Sequence, residues 1–104
     1  MNPENQLSME EKELLGQLVS GSLSMHRLDK HVEKDRSVLL RRMALERIRD
    51  VQLEHIGSFS INENEASKSN IENMIGAVQV PVGIAGPIKI GGEFAQGEYY
   101  LPLA

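Results

Sequence analysis

The spacing of apolar residues along the chain changes within one stretch, Gly76-Ala77-Val78-Gln79-Val80-Pro81-Val82-Gly83-Ile84-Ala85-Gly86-Pro87. Upstream of it the apolar residues recur at helical intervals. Inside it they occupy every second position, which is the period of a β-strand. The alternating residues are Val78, Val80, Val82 and Ile84. Because Pro81 and Pro87 lack a backbone N–H, the pattern predicts an edge strand, or two short strands with a bend.

A hairpin is predicted directly after this stretch. Ile88 and Ile90 resume the alternation, and Gly91-Gly92 is a pair typical of a tight turn between antiparallel strands. Residues 98–103 form the last predicted strand. The glycines of residues 82–87 match neither the dinucleotide-binding fingerprint nor the Walker phosphate loop, so they indicate tight turns or a close backbone approach.

The front of the chain is predicted to be helical. Ser8 and Glu11 have the spacing of a capping box, which predicts a helix over residues 9–20. Residues 22–34 are charged, with isolated apolar positions, and predict one or two helical turns on the surface. The clearest helix begins near Asp35, and Arg42 and Glu46 are predicted on its exposed side. Its predicted apolar face consists of Leu40, Met43, Ala44, Ile48 and Val51.

A further helix is predicted between these segments and the strands. Ser60 and Glu63 repeat the capping-box spacing, and Gly76 is a natural helix stop, so a helix is expected over residues 62–75. Its small apolar stripe consists of Ile71, Met74 and Ile75.

These elements predict an α+β fold in two parts. Residues 1–52 are expected to form a helical amino-terminal domain. Residues 53–104 are expected to begin a mixed α/β large domain with short strands and a hairpin. Only 4% of the residues are aromatic, so the core must be built from aliphatic side chains.

The composition excludes several kinds of function. A net charge of −4 argues against general affinity for nucleic acid or anionic lipid, because such binding needs a basic face. The absence of cysteine excludes disulfides, thiolate metal sites and a cysteine nucleophile, and it fits the cytoplasm. Residues 1–6 are polar, and no apolar run approaches the roughly 20 residues that span a bilayer, so neither a signal peptide nor a membrane anchor is expected.

Two groups of side chains suggest binding chemistry. His26 and His31 are five residues apart, which turns them away from each other on a helix, and His55 is isolated, so no metal site is predicted. Five arginines could form a phosphate-binding surface, but acidic residues are interleaved with them, and this mixture favours a solvated helix face. The five are Arg36, Arg41, Arg42, Arg47 and Arg49.

Two runs carry a family resemblance, Ile71-Glu72-Asn73-Met74-Ile75-Gly76 and Gln79-Val80-Pro81-Val82-Gly83-Ile84-Ala85-Gly86-Pro87. Together they resemble a signature of hydroxymethylglutaryl-coenzyme A reductases. Leu39-Leu40-Arg41-Arg42 and Leu53-Glu54-His55-Ile56-Gly57 are similar to soluble, class I members of that family. The resemblance covers roughly residues 22–104 and identifies the chain as an amino-terminal fragment of such an enzyme.

The resemblance implies an oxidoreductase of isoprenoid biosynthesis. Enzymes of this family reduce hydroxymethylglutaryl-coenzyme A to mevalonate with two hydrides from NADPH, act as dimers and use no metal. Their catalytic glutamate lies in a Thr-Thr-Glu-Gly run that is expected directly after Ala104. No catalytic residue is therefore assigned within the chain, and the fragment is not expected to be active alone.

The resemblance also implies site residues. Glu72 and Asn73 are expected to contact substrate or nicotinamide across a dimer interface, although both could simply be polar residues on a last helical turn. His26 is the candidate contact for coenzyme A, since an imidazole can stack on adenine, or it is a plain surface residue. The predicted interface residues are Ile71, Met74, Ile75 and Gly76.

Two other hypotheses remain open. The chain could be a free-standing, non-catalytic module that binds intact reductase subunits through residues 72–76. It could instead be a truncated gene product without a stable fold, in which case the exposed strand edges would cause aggregation.

Overall fold

Helix α1 spans Met9–Ser20 and begins with the predicted capping box. The structure is a computed structural model that describes residues 6–104, so residues 1–5, part of the segment used to exclude a signal peptide, lie outside it. The Ser8 hydroxyl accepts a hydrogen bond from the Glu11 N–H at 3.0 Å, and the Glu11 carboxylate accepts one from the Ser8 N–H at 2.9 Å. The helix ends at Gly21, whose φ of 87° favours glycine.

Helix α2 spans Lys34–Arg49 and packs against α1 to form the core. Three of the five predicted apolar residues of α2 are buried. Ile48 and Val51 are not, with exposures of 42% and 44%, because the core ends at Ala44. The clustered core residues are Leu7, Leu14, Leu15, Leu18, Leu28, Leu40, Met43 and Ala44.

A short 3-10 helix over Met25–Lys30 connects α1 to α2. Residues 22–34 were predicted as surface turns, and this prediction was wrong for Leu28, which is fully buried in the core. The segment therefore forms part of the packed unit.

Helix α3 spans Glu63–Ser69 and is shorter than predicted. Its cap is Asn62, whose side-chain oxygen accepts from the Glu65 N–H at 3.0 Å, so the predicted Ser60 capping box was wrong. The helix ends at Ser69, with Asn70 as its C-cap, so Gly76 is not the helix stop. Residues 71–75 are consequently not helical, and their apolar side chains do not form a helical stripe.

The hairpin consists of β1, Gly83–Gly91, and β2, Gln96–Leu103, which pair antiparallel. The turn after Gly91 is confirmed, and helices followed by this hairpin confirm the α+β class. The alternating residues at 78–82 lie outside both strands, so that part of the strand prediction was wrong. The register is irregular between Ala85 and Ile88, where the Gly86–Pro87 peptide bond is cis.

The hairpin extends away from the helical core. Its apolar side chains remain exposed, including Ile84 at 71% and Phe94 at 95%. The radius of gyration is 20.0 Å, whereas a compact domain of this size has a value of about 13 Å. The two parts of the chain therefore differ in packing, although the predicted domain boundary at residue 52 stays a prediction.

An ion pair between α1 and α2 should make stability depend on pH. Arg36 Nε donates to Glu11 Oε2 at 2.6 Å, and this bond, with that from the Ser8 N–H, lowers the pKa of Glu11 to about 2. Because the folded pKa lies below the unfolded value, the stabilisation is complete above about pH 4.5 and is lost as the pH falls towards about 2.

We expect Glu11→Gln to lower the free energy of unfolding at neutral pH by about 2 kcal/mol, less than the full pKa shift implies, because Arg36 remains partly exposed to water. Urea denaturation at several pH values measures this. The control is Glu10→Gln, an exposed position in the same helical turn. An unchanged acid profile in Glu11→Gln would contradict the assignment.

Candidate functional site

A cleft brings three of the predicted site residues together. It lies between the 3-10 helix and the segment after α3, and its volume is about 230 Å³. His26 lines it together with Glu72 and Asn73, although 46 residues or more separate them in the sequence. The lining residues are His26, Asp29, Lys34, Ser67, Ile71, Glu72 and Asn73.

One wall of the cleft is an irregular turn that carries Glu72 and Asn73. The alternative that these residues occupy a last helical turn was wrong, because α3 ends at Ser69. Asn73 has a φ of 52°, in the left-handed region that asparagine tolerates better than most residues. Both side chains are exposed, so they are accessible to a ligand.

Arg41 connects this wall to the opposite one. Its side chain is 2% exposed and lies at the centre of the buried face of α2. Nε donates to the Met25 carbonyl at 3.0 Å, beside His26, and Nη1 donates to the Met74 carbonyl at 3.4 Å, beside Asn73. Nη2 lies 2.9 Å from Asp29 Oδ1. One guanidinium therefore contacts both walls.

Arg42 binds the same turn one residue further along. Its Nη1 donates to the Ile75 carbonyl at 2.9 Å. The Ala77 N–H then donates to the Ile56 carbonyl at 3.0 Å, which places Gly76 directly against the backbone of Ile56. Burial lowers the pKa of Arg42, and the nearby Glu46 carboxylate opposes that change.

Asp29 lines the cleft and forms ion pairs with Lys34 and Arg41. Burial raises the pKa of its carboxyl, but the hydrogen bond from Lys34 and the nearby charge of Arg41 outweigh burial and hold the pKa below its usual value. Lys34 Nζ lies 2.7 Å from Asp29 Oδ2. Asp29 is thus held as a paired carboxylate, suited to orienting the two cations.

The profile of the family described as hydroxymethylglutaryl-coenzyme A reductase matches residues 37–104, which is more than half of the chain. The chain belongs to the hydroxymethylglutaryl-coenzyme A reductase family. It is 46% identical to the 3-hydroxy-3-methylglutaryl-coenzyme A reductase of Pyrococcus abyssi over 92% of its own length and 24% of that protein.

Other reductases give a similar picture. The enzyme of Methanothermobacter thermautotrophicus is 45% identical over 88% of this chain, and reductase 3 of Hevea brasiliensis is 32% identical over 94%. The chain spans about a quarter of the length of the archaeal relatives. The match confirms the family resemblance and gives no support to a free-standing binding module.

The residues predicted for a reductase subunit interface differ in exposure. Ile71 is 50% exposed, whereas Met74 is 4% exposed and is buried by residues of the same chain. Ile75 and Gly76 are half-buried, and both contribute backbone to the contacts with α2 and with Ile56. Their place in a subunit interface stays a prediction.

Two further features of the reductase segment can be stated for residues 6–104. No three of its histidine, aspartate or glutamate side chains converge where they could hold a metal ion. None of the helices over the same residues combines the length and the apolar character that crossing a membrane requires.

The sequence interpretation missed the role of the arginines. Arg36, Arg41 and Arg42 were assigned to a solvated helix face, and this was wrong because each makes a specific bond and Arg41 is buried. The helical period held a signal, since position 41 lies one turn from Ser37 and Ala44, both on the buried face. The acidic residues interleaved with the arginines concealed this signal, because such a mixture is typical of a solvated helix face.

Proposed function

We propose that this chain is the part of an NADPH-dependent hydroxymethylglutaryl-coenzyme A reductase that builds one wall of its ligand site. The proposal rests on the family match over residues 37–104. It includes reduction of hydroxymethylglutaryl-coenzyme A to mevalonate, a homodimeric enzyme in the cytoplasm, and a segment that is inactive without the remainder of a reductase.

The chemistry of the cleft supports a contact with a polar ligand group. The Glu72 carboxylate accepts hydrogen bonds, and the Asn73 amide both donates and accepts them, which suits the carboxamide of a nicotinamide or the polar groups of the substrate. A cleft of about 230 Å³ is smaller than a typical pocket for a whole cofactor, about 300–1,000 Å³. The residues therefore fit one end of such a ligand, and other parts of the enzyme would hold the rest.

His26 supports the proposed contact with coenzyme A. It is exposed and lines the same cleft as Glu72, so its ring is accessible for stacking on a flat base.

We expect Glu72→Gln to lower kcat/KM at least on the order of tenfold in the complete reductase, because a neutral amide cannot replace a charged acceptor. The measurement is hydroxymethylglutaryl-coenzyme A-dependent oxidation of NADPH, followed by absorbance. Residues 1–104 expressed alone should show no such oxidation.

The matched control is Glu93→Gln, an exposed glutamate in the turn between β1 and β2. It should leave kcat/KM unchanged. Equal activity of both variants would remove Glu72 from the site. A complete protein that cannot oxidise NADPH with this thioester would overturn the proposed function itself.

A further inference from the structure

We infer that Arg41 and Arg42 are positioning residues that fix the cleft by holding the backbone carbonyls of Met74 and Ile75. This inference rests on the proposed function, because it concerns the same site. The hydrogen bonds of both guanidiniums go to backbone carbonyls, and Arg41 also pairs with Asp29. Both act through the turn that carries Glu72 and Asn73.

The donors of Arg41 are distributed over three separate acceptors. Three of its nitrogens make contacts with three different groups: Nε with the Met25 carbonyl, Nη1 with the Met74 carbonyl and Nη2 with the Asp29 carboxylate. Met25 and Met74 are the chain neighbours of His26 and Asn73, and Asp29 itself lines the cleft. The relative position of the walls is therefore determined by one planar, rigid group.

The guanidinium of Arg41 is also buried. Arg41 is 2% exposed, so water does not compete for its hydrogen bonds, and Asp29 balances its charge. Asp29 is held in turn by Lys34 at 2.7 Å. A buried, paired guanidinium is already ordered before a ligand binds, so little conformational entropy is lost on binding. The site is in this sense preorganised.

Arg42 holds the next peptide group of the same turn. The carbonyl it binds, that of Ile75, follows the Met74 carbonyl directly, so two consecutive peptide groups are held by two consecutive arginines. The left-handed Asn73 lies immediately before them. Together these contacts fix the exit of the turn and leave the two side chains of the turn free for a ligand.

The test uses Arg41→Lys and Arg42→Lys in the complete reductase. Lysine keeps the charge but concentrates its donors at one point, so it cannot contact three separated groups. We expect the KM for hydroxymethylglutaryl-coenzyme A to rise on the order of tenfold in Arg41→Lys, and less in Arg42→Lys, while kcat changes by less than about threefold.

A merely structural role gives a different result. Partial unfolding reduces the amount of active enzyme, so it lowers the apparent kcat and leaves KM unchanged. That outcome, with a lowered Tm, would overturn the inference. The control is Arg49→Lys, at the exposed end of α2, for which both constants should equal those of the wild type.

If Arg41→Lys does not fold, Arg42→Lys tests the inference in its place. Arg42 is only partly buried, so its substitution disturbs folding less. An unchanged KM in a folded Arg42→Lys enzyme would then overturn the inference. Hydrogen exchange of the Ala77 amide, which is bonded to Ile56, gives a readout independent of activity. If the wild-type protein lacks reductase activity, the proposed function fails. The exchange experiment still tests the positioning role: faster exchange of the Ala77 amide in Arg42→Lys supports it, and unchanged exchange overturns it.

Discussion

Replacing Gly76 with alanine is expected to lower the free energy of unfolding by about 3 kcal/mol. The added Cβ would lie against the carbonyl oxygen of Ile56, closer than real Cβ atoms approach any backbone atom. The obstacle is backbone, so no side-chain rotation relieves it. The Ala77 to Ile56 hydrogen bond would have to lengthen or break, and the turn that carries Glu72 would shift.

The matched control is Gly16→Ala in helix α1, where an added Cβ meets nothing within 4 Å. Alanine is the better helix former, so this variant should be more stable by roughly 0.5–1 kcal/mol. Urea denaturation compares the two variants. If Gly76→Ala were as stable as the wild type, the packing of residue 76 against Ile56 would be wrong.

The same experiment separates the two roles considered for Gly76. A clash inside one chain lowers stability by an amount that does not vary with protein concentration. A position that acts mainly between subunits gives a loss that depends on concentration, since dissociation then contributes.

Replacing Arg41 with methionine is expected to lower the free energy of unfolding by about 3 kcal/mol. Methionine fills much of the same volume, but it leaves the carbonyls of Met25 and Met74 without their donor and removes one of the cations beside Asp29. Lys34 still pairs with Asp29, which keeps the loss below that of a fully unpaired buried charge.

The control is Arg49→Met, the same chemical change at an exposed position, with an expected effect below about 0.5 kcal/mol. The double variant Asp29→Asn/Arg41→Met should be less destabilised than the sum of its single changes, because the charge that Arg41 balances is then absent. Additive losses would show that the two side chains do not act together.

Local rules predicted a substantial part of this fold. The capping box at Ser8 and the apolar spacing of α1 depend only on neighbouring residues, and the helix has the predicted bounds. The turn after Gly91 was predicted for the same reason. Such features are stabilised within a few residues, so their sequence pattern is sufficient.

The errors arose where distant contacts decide the structure. Residues 70–75 were expected to continue a helix, yet the carbonyls of Met74 and Ile75 bind arginines of α2 that lie 33 residues earlier. No local pattern encodes that contact. The family motif pointed to Glu72 and Asn73, and the fold places both in one cleft with His26, while their contact with a ligand stays a prediction. The arginines that bind the adjacent carbonyls were hidden by the acidic residues in the same helix.

The distribution of the core along the chain bears on the order of folding. All clustered core residues lie between Leu7 and Ala44, so the helical unit is closed by contacts of short sequence separation. Such contacts form quickly, and they are available as soon as this part of the chain has left the ribosome. The apolar residues of the hairpin have no such cover, and a two-stranded hairpin is marginally stable by itself in water, so we expect the hairpin to become ordered after the helical unit.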